Sequence, residues 1–309
     1  MLAVKRVLFP TDFSRCADQA KDHALFIAKE AGAELIMLHA IVLHADDPHD
    51  PAHHFDDVDE IRQRLESLAR VKMKETVAAS GSADLKITLD QVRGLSAADT
   101  ILNYSADHDI DLIVMGTTGR RGLEHVFLGS VAEEVVRRAH CPVMTVRESR
   151  ERRSVEDVER ILVPVDFSKH SQSALIHAKE IAAVFGARLQ LVHFIEETVH
   201  PAFYMTGKTS ILELRPDILE KAHQALEDLL ARSPGADVEA EIHVEEGRAA
   251  RDIVAFAERE ESDLIVIATH GLTGLQHFLL GSVTEKVVRR APCPVFTVKS
   301  FGKSLITRG

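Results

Sequence analysis

The sequence predicts an α/β fold, two tandem open parallel-sheet domains of the Rossmann-like kind, and three observations carry the prediction. The segment from Leu112 to Val146 (LIVMGTTGRRGLEHVFLGSVAEEVVRRAHCPVMTV) recurs from Leu264 to Val298 without a gap, with 23 of 35 positions identical. Two shorter segments also recur: VLFPTDFS (Val7 to Ser14) as ILVPVDFS (Ile161 to Ser168), and LIMLHAI (Leu35 to Ile41) as LQLVHFI (Leu189 to Ile195). Between these repeats short apolar runs alternate with helical stretches, the pattern of βαβ units and a parallel sheet. A duplicated unit of roughly 150 residues is the size of an ordinary domain and can bury its own core without metal or disulfide support.

Each element has its own signal. Lys5 to Pro10 reads as the first strand, and Ser14 to about Ala31 as a helix that Gly32 ends, because glycine at the position after a helix takes the left-handed conformation without steric cost. Ala33 to Ile41 is apolar nearly throughout, which suits a parallel strand covered on both faces. A loop follows from Val42 to Asp56. The next elements are a helix from Val58 to Ala79, a strand from Asp84 to Val92, a helix from Ser96 to Ala106 and a strand from Ile110 to Met115. A last helix, Ser130 to Ala139, and a strand, Pro142 to Val146, complete the first half. The charged, apolar-poor run Arg147 to Asp157 reads as a linker, giving domains 1–147 and 158–300 around residues 148–157. The second half repeats the order from Val158 to Lys299 and ends in a short polar tail.

Composition narrows the function. With 48 acidic against 37 basic residues the formal net charge is −11, which repels a polyphosphate backbone, so nucleic acid is a poor partner. No apolar run approaches the ~20 residues needed to span a membrane, and MLAVKRVLFPTDF reads as a first strand rather than a signal peptide. The expected location is the cytoplasm. Cys16, Cys141 and Cys293 match no metal spacing; Cys141 and Cys293 are equivalent in the repeat and read as small buried core residues.

Ligands of open parallel sheets bind outside the carboxyl ends of the strands, where the strand order reverses. Asp12 and Asp166 mark that edge after the first strand of each half, Ala40 and Phe194 after the second, and Gly116 and Ala268 after the fourth. From there the first half runs Gly116-x-x-Gly119, nine residues, Gly129-Ser130. In the second half Ala268 replaces the first glycine while Gly271, Gly281 and Ser282 keep the spacing. Glycines let the backbone approach an anion, the serine adds a hydroxyl donor, and the helix it opens adds a partial positive end. Arg120 and Arg121 lie in the first loop, where a charge-assisted phosphate contact is plausible, but Leu272 and Thr273 replace them in the second.

These residues also have plainer readings. Ser130 and Ser282 would serve as helix N-caps, and Asp12 and Asp166 as structural residues at a helix start. Arg137-Arg138 and Arg289-Arg290 end helices and complement the dipole. His44, His49, His53 and His54 lie among aspartates in HADDPHDPAHHFDD, a set able to bind Zn²⁺ or Ni²⁺ or simply to be a solvated loop.

PTDFS and PVDFS, the histidine-bearing second strand, the spaced glycines and GSVxExVVRRAxCPVxxV together resemble the universal stress protein family in its tandem, ATP-binding form. The resemblance covers nearly the whole chain. It implies an adenine-nucleotide α-hydrolase-like fold that binds ATP with Mg²⁺, adenine and ribose lying near Asp12 or Asp166 and phosphates on the glycine loops. Carried over position by position, the cofactor contacts are Asp12, Ala40, Gly116, Gly119, Arg120, Gly129, Ser130 and Val131 in the first half. In the second they are Asp166, Phe194, Ala268, Gly271, Gly281, Ser282 and Val283. The resemblance further implies an internal pseudo-dimer of the two halves, with a homodimer of whole chains also open, and a regulator with slow or no hydrolysis. Two alternatives stand beside it: a nucleotide-independent interaction scaffold, and a metal-binding stress protein using the histidine-rich loop.

Overall fold

Strands and helices alternate throughout the computed structural model, which describes residues 3–42, 58–81, 84–118, 128–149, 154–196, 217–271, 280–299 and 301–306. The chain forms two units, Val4–Arg150 and Glu151–Gly309, the latter joined by Met1–Ala3.

The first unit runs β1 (Arg6–Pro10), α1 (Arg15–Ala31), β2 (Glu34–Val42), α2 (Val58–Ala79), β3 (Ile87–Gly94), α3 (Ala97–Asp107), β4 (Leu112–Gly116), α4 (Ser130–Arg138) and β5 (Val143–Val146). Val7 pairs with Leu35 on one side and Leu112 on the other, so β1 lies between β2 and β4. With β2 beside β3 and β4 beside β5, all parallel, the order is β3-β2-β1-β4-β5. The chain therefore reverses its direction of travel across the sheet between β1 and β4. Val7, Leu8 and Phe9 of β1 and Leu112 to Met115 of β4 are buried, which is why these strands are unbroken apolar runs.

Local chemistry sets the boundaries. Ser14 caps α1 by accepting from the Ala17 N–H, and Gly32 ends it at φ 60°. Ser96 caps α3 through the Asp99 N–H. β4 begins at Leu112 rather than Ile110, because Asp111 turns its carboxylate to the backbone N–H groups of Lys5 and Arg6, at 2.7 and 2.9 Å. β3 begins at Ile87, later than its polar approach Asp84–Lys86 suggested.

The second unit repeats the plan: β6 (Arg160–Pro164), α5 (Lys169–Phe185), β7 (Arg188–Ile195), α6 (Asp217–Arg232), β8 (Ala240–Glu246), α7 (Ala249–Arg259), β9 (Leu264–Ala268), α8 (Ser282–Arg290) and β10 (Val295–Val298). Its parallel sheet has the order β10-β9-β6-β7-β8. Asp263 does for β6 what Asp111 does for β1, accepting from the amides of Glu159 and Arg160 at 3.0 Å each.

Two expectations need correction. The tail after β10 is not simply polar and solvated: Leu305 is buried, its N–H donating to His177 Nε2 at 3.2 Å and its carbonyl accepting from Ala3 N–H at 2.8 Å. Of the two equivalent cysteines, Cys141 is buried but Cys293 is only half-buried. Among the described residues no helix is long and apolar enough to cross a membrane.

Candidate functional site

At the carboxyl ends of β1 and β4 the two loops fold onto each other. Asp12 Oδ1 accepts from Ser14 N–H at 3.0 Å, and Ser14 Oγ reaches Thr118 O at 3.5 Å. Gly129 N–H donates to Thr117 O at 2.7 Å, so the glycine opening α4 is tied back to the residue leaving β4. The second unit matches: Asp166 Oδ1 accepts from Ser168 N–H at 3.0 Å, and Gly281 N–H donates to Thr269 O at 2.9 Å. One oxygen of each aspartate therefore has the structural task that its place at a helix start suggested.

Close approach accounts for the glycines, for different reasons. A Cβ on Gly129 or Gly281 would stand 2.9 Å from Thr117 O or 3.0 Å from Thr269 O, closer than real side chains come. On Gly271 it would stand 2.4 Å from Asp166 Oδ2, so that glycine admits the carboxylate to the loop after β9 and joins the ends of β6 and β9 in one site. Gly116 has a packing constraint that the sequence reading did not include. Its missing Cβ faces Cys16 Sγ at 2.9 Å and Cys16 C at 3.0 Å, so the absence of a side chain lets α1 pack closely. Ala268 holds the same position at the end of β9 and is buried.

The helices that follow show which residues hold the cap positions. The N-caps of α4 and α8 are Gly129 and Gly281, with no side-chain cap bond in either. Ser130 and Ser282 are therefore first helical residues, not caps, and both are exposed. The first intrahelical bonds run from Glu133 N–H to Gly129 O and from Glu285 N–H to Gly281 O. The amides ahead of them, including those of Ser130, Val131, Ser282 and Val283, point out of the helix start together with the positive end of its dipole. Arg138 at the other end of α4 pairs with Asp99 and Glu134, and Arg289 of α8 with Glu285 at 3.0 Å, in keeping with a structural role for these arginines.

Sequence reasoning missed what holds the aspartates. Phe13 and Phe167 lie in the left-handed region, at φ 63° and 61°, a conformation costly for a bulky side chain. In each unit a histidine at the end of the second strand supports it. His39 Nδ1 lies 2.7 Å from Thr11 O and its ring 4.7 Å from that of Phe13; His193 Nδ1 lies 2.7 Å from Val165 O and its ring 4.7 Å from that of Phe167. Because the carbonyl only accepts, each Nδ1 carries the hydrogen. Bulky residues held in this strained region cluster at functional sites. The available signal was the recurrence of a histidine at the same point of both second strands.

The second strands also differ at their tips: Ala40 is half-buried, whereas Phe194 is buried and lies against Gly247. Gly119, Arg120 and Arg121, with Leu272 and Thr273 opposite, and His44, His49, His53 and His54 lie outside the described residues. Separate grooves lie beneath α2, lined by Glu66, Arg70, Met73 and Arg93, and beneath α6, lined by Glu220, His223 and His243; neither is lined by Asp12, Gly129, Asp166 or Gly281. We place the site at the strand ends because donors converge there in both units.

Comparison with known proteins agrees with this duplication. The model of the universal stress protein family matches twice, at residues 3–147 and 157–299. The universal stress protein MJ0531 of Methanocaldococcus jannaschii is 37% identical over 142 residues, 46% of this chain and 82% of that one. The universal stress protein Mb2028c of Mycobacterium bovis is 27% identical over 250 residues, 78% of this chain and 77% of its own. Among solved structures, that of a universal stress protein from Archaeoglobus fulgidus superposes with a TM-score of 0.64 at 24% identity, covering 95% of this chain and 98% of its own, a likeness of fold.

Proposed function

The chain belongs to the universal stress protein family, and from that premise we propose that it binds ATP with Mg²⁺ at the strand ends of each half and acts as a cytoplasmic nucleotide-dependent regulator. The observation that carries the reading is a helix start built twice without a side-chain cap, facing an aspartate-bearing turn across the reversal point of the sheet. The amides of an uncapped helix N-terminus are satisfied by water or, with the dipole in its favour, by an anion.

In this reading the backbone N–H groups of Ser130 and Val131, and of Ser282 and Val283, hold phosphate oxygens, with the serine hydroxyls as further donors. Gly129 and Gly281 keep the entry free of side chains; Gly119, Arg120 and Gly271 belong to the same loops. Asp12 and Asp166 accept from ribose hydroxyls or the adenine amino group, with Ala40 and Phe194 beside the base. Gly116 and Ala268 shape the loop from behind. Mg²⁺ neutralises phosphate charge when bound. Among the described residues no group of three metal-ligating side chains gathers, so the ion would be held mainly through the nucleotide's own oxygens. Backbone donors recognise phosphate charge without positioning a nucleophile, which favours a binder with slow hydrolysis over a fast enzyme. The working units are domains 1–147 and 158–300 joined by residues 148–157.

The test is calorimetric titration of nucleotide-stripped protein with ATP and Mg²⁺, beside Gly129→Glu and Gly281→Glu. Two sites, each lost with its own glycine, are expected. No binding by the wild-type chain would overturn the reading and leave the scaffold alternative.

A further inference from the structure

Residues 301–306, beyond β10, run along α5 of their own unit, buried at the Leu305 end and half-exposed at the Phe301 end. At one end Leu305 is 1% exposed and bonded through its N–H to His177 Nε2 and through its carbonyl to Ala3 N–H. Ser304 Oγ lies 3.3 Å from the same Nε2 and accepts from Ile306 N–H at 3.1 Å. At the other end the Phe301 ring lies 6.1 Å from His170 and 6.1 Å from His270, meeting the latter nearly edge-on at 72°. His170 and His270 are themselves 6.3 Å apart, and His270 Nδ1 lies 3.1 Å from Thr269 Oγ1.

His270 sits in the loop that leaves β9 for the second site, one residue before the glycine that receives Asp166. Its ring thus lies between its own loop, the start of α5 and the half-exposed Phe301. The first unit has different residues at these positions: Cys16 stands where the second has His170, its thiol bonded to Val146 O at 3.1 Å, and Thr118 stands opposite His270.

We propose that residues 301–306 form a strap that positions His270 and, through it, the adjoining Gly271 that receives Asp166, so that nucleotide affinity at the second site depends on the strap while the first site is indifferent to it. The inference rests on the nucleotide reading of the site. A ring flanked by Phe301 has fewer orientations to lose on binding, so removing that neighbour makes binding bear more entropy; the expected loss is roughly three- to tenfold in affinity. Linkage requires the reciprocal effect: nucleotide must tighten the strap by the same factor.

Two measurements on the full chain test this. Calorimetry with ATP and Mg²⁺ should show the second site of Phe301→Ala weakened roughly three- to tenfold, the first unchanged, and Phe301→Tyr near wild type because an aromatic edge is restored. Gly129→Glu, which removes the first site, assigns the weakened one. Hydrogen exchange at the Leu305 amide of the wild-type chain, which needs no substitution, should slow when ATP and Mg²⁺ are added. Unchanged or tighter binding by Phe301→Ala, or Leu305 exchange indifferent to nucleotide, overturns the strap and leaves the site reading standing. Absence of binding by the wild-type chain overturns both.

Discussion

His23 of α1 and His177 of α5 occupy the same place in the repeat, and the two units treat them in opposite ways. His177 has a partner on each ring nitrogen: Nδ1–H donates to Ser173 O at 2.8 Å, which leaves Nε2 as the acceptor for Leu305 N–H. His23 keeps a buried Nδ1 with no hydrogen-bond partner among the described residues, and burial pushes its pKa down to about 4. Burial also lowers that of His177, while the bond to Ser173 pulls the other way. Duplication copied the residue; the surroundings then diverged. The same holds one turn further along the helix. Buried Lys179 donates to Ser233 O at 2.9 Å and Glu180 accepts from Ala236 N–H at 3.1 Å, tying α5 to the end of α6, where the first unit has Leu25 and Phe26.

The largest test of this contrast is acid. Because the folded pKa of His23 is lowered, the unfolded chain takes up a proton first as pH falls below 6.5. Stability is therefore full above that value and declines toward pH 4, by up to about 3 kcal/mol from this group, before levelling off. His23→Leu should flatten that part of the pH dependence in urea unfolding; an unchanged slope would show that the neutral histidine is not responsible.

Next comes the close approach of α1. Gly116→Ala should destabilise the first unit by about 1–3 kcal/mol, since its methyl meets Cys16 backbone that cannot withdraw. The reverse change in the second unit, Ala268→Gly, should cost only about 0.5–1 kcal/mol. Equal effects in thermal unfolding would break the claim that the two helices sit differently against their strands. A third test is Lys179→Met, which leaves the Ser233 carbonyl without its donor and should lower stability by about 1–2 kcal/mol in denaturant titration.

The sheet was legible because its central strands β1, β4, β6 and β9 are nearly unbroken apolar runs and α1 and α5 open on serine and close on glycine, signals that depend on a few neighbouring residues. Where a distant group intervened, the reading slipped. Asp111 lies next to an apolar run and looks like strand, yet its carboxylate serves amides more than a hundred residues away. The recurrent glycines and aspartates marked the candidate site, but not their separate tasks: Gly116 answers to Cys16 and Gly271 to Asp166, contacts made only on folding. Left-handed Phe13 and Phe167 were not readable, since a bulky aromatic is among the last residues that local preference assigns to that conformation. Nor was the burial of Leu305, which depends on His177 and Ala3 together.

The strand register carries a consequence for how the molecule is made. β1 is completed on one side only when Val7 meets Leu112, and β6 only when Ile161 meets Leu264, so each central strand waits for a partner synthesised much later. Those partners begin with the same three residues, Leu112–Val114 and Leu264–Val266. On the ribosome the first triplet emerges while the second does not yet exist, and β1 has one candidate neighbour. Dilution from denaturant offers both triplets at once, so the native register rests there on the residues that differ between the repeats.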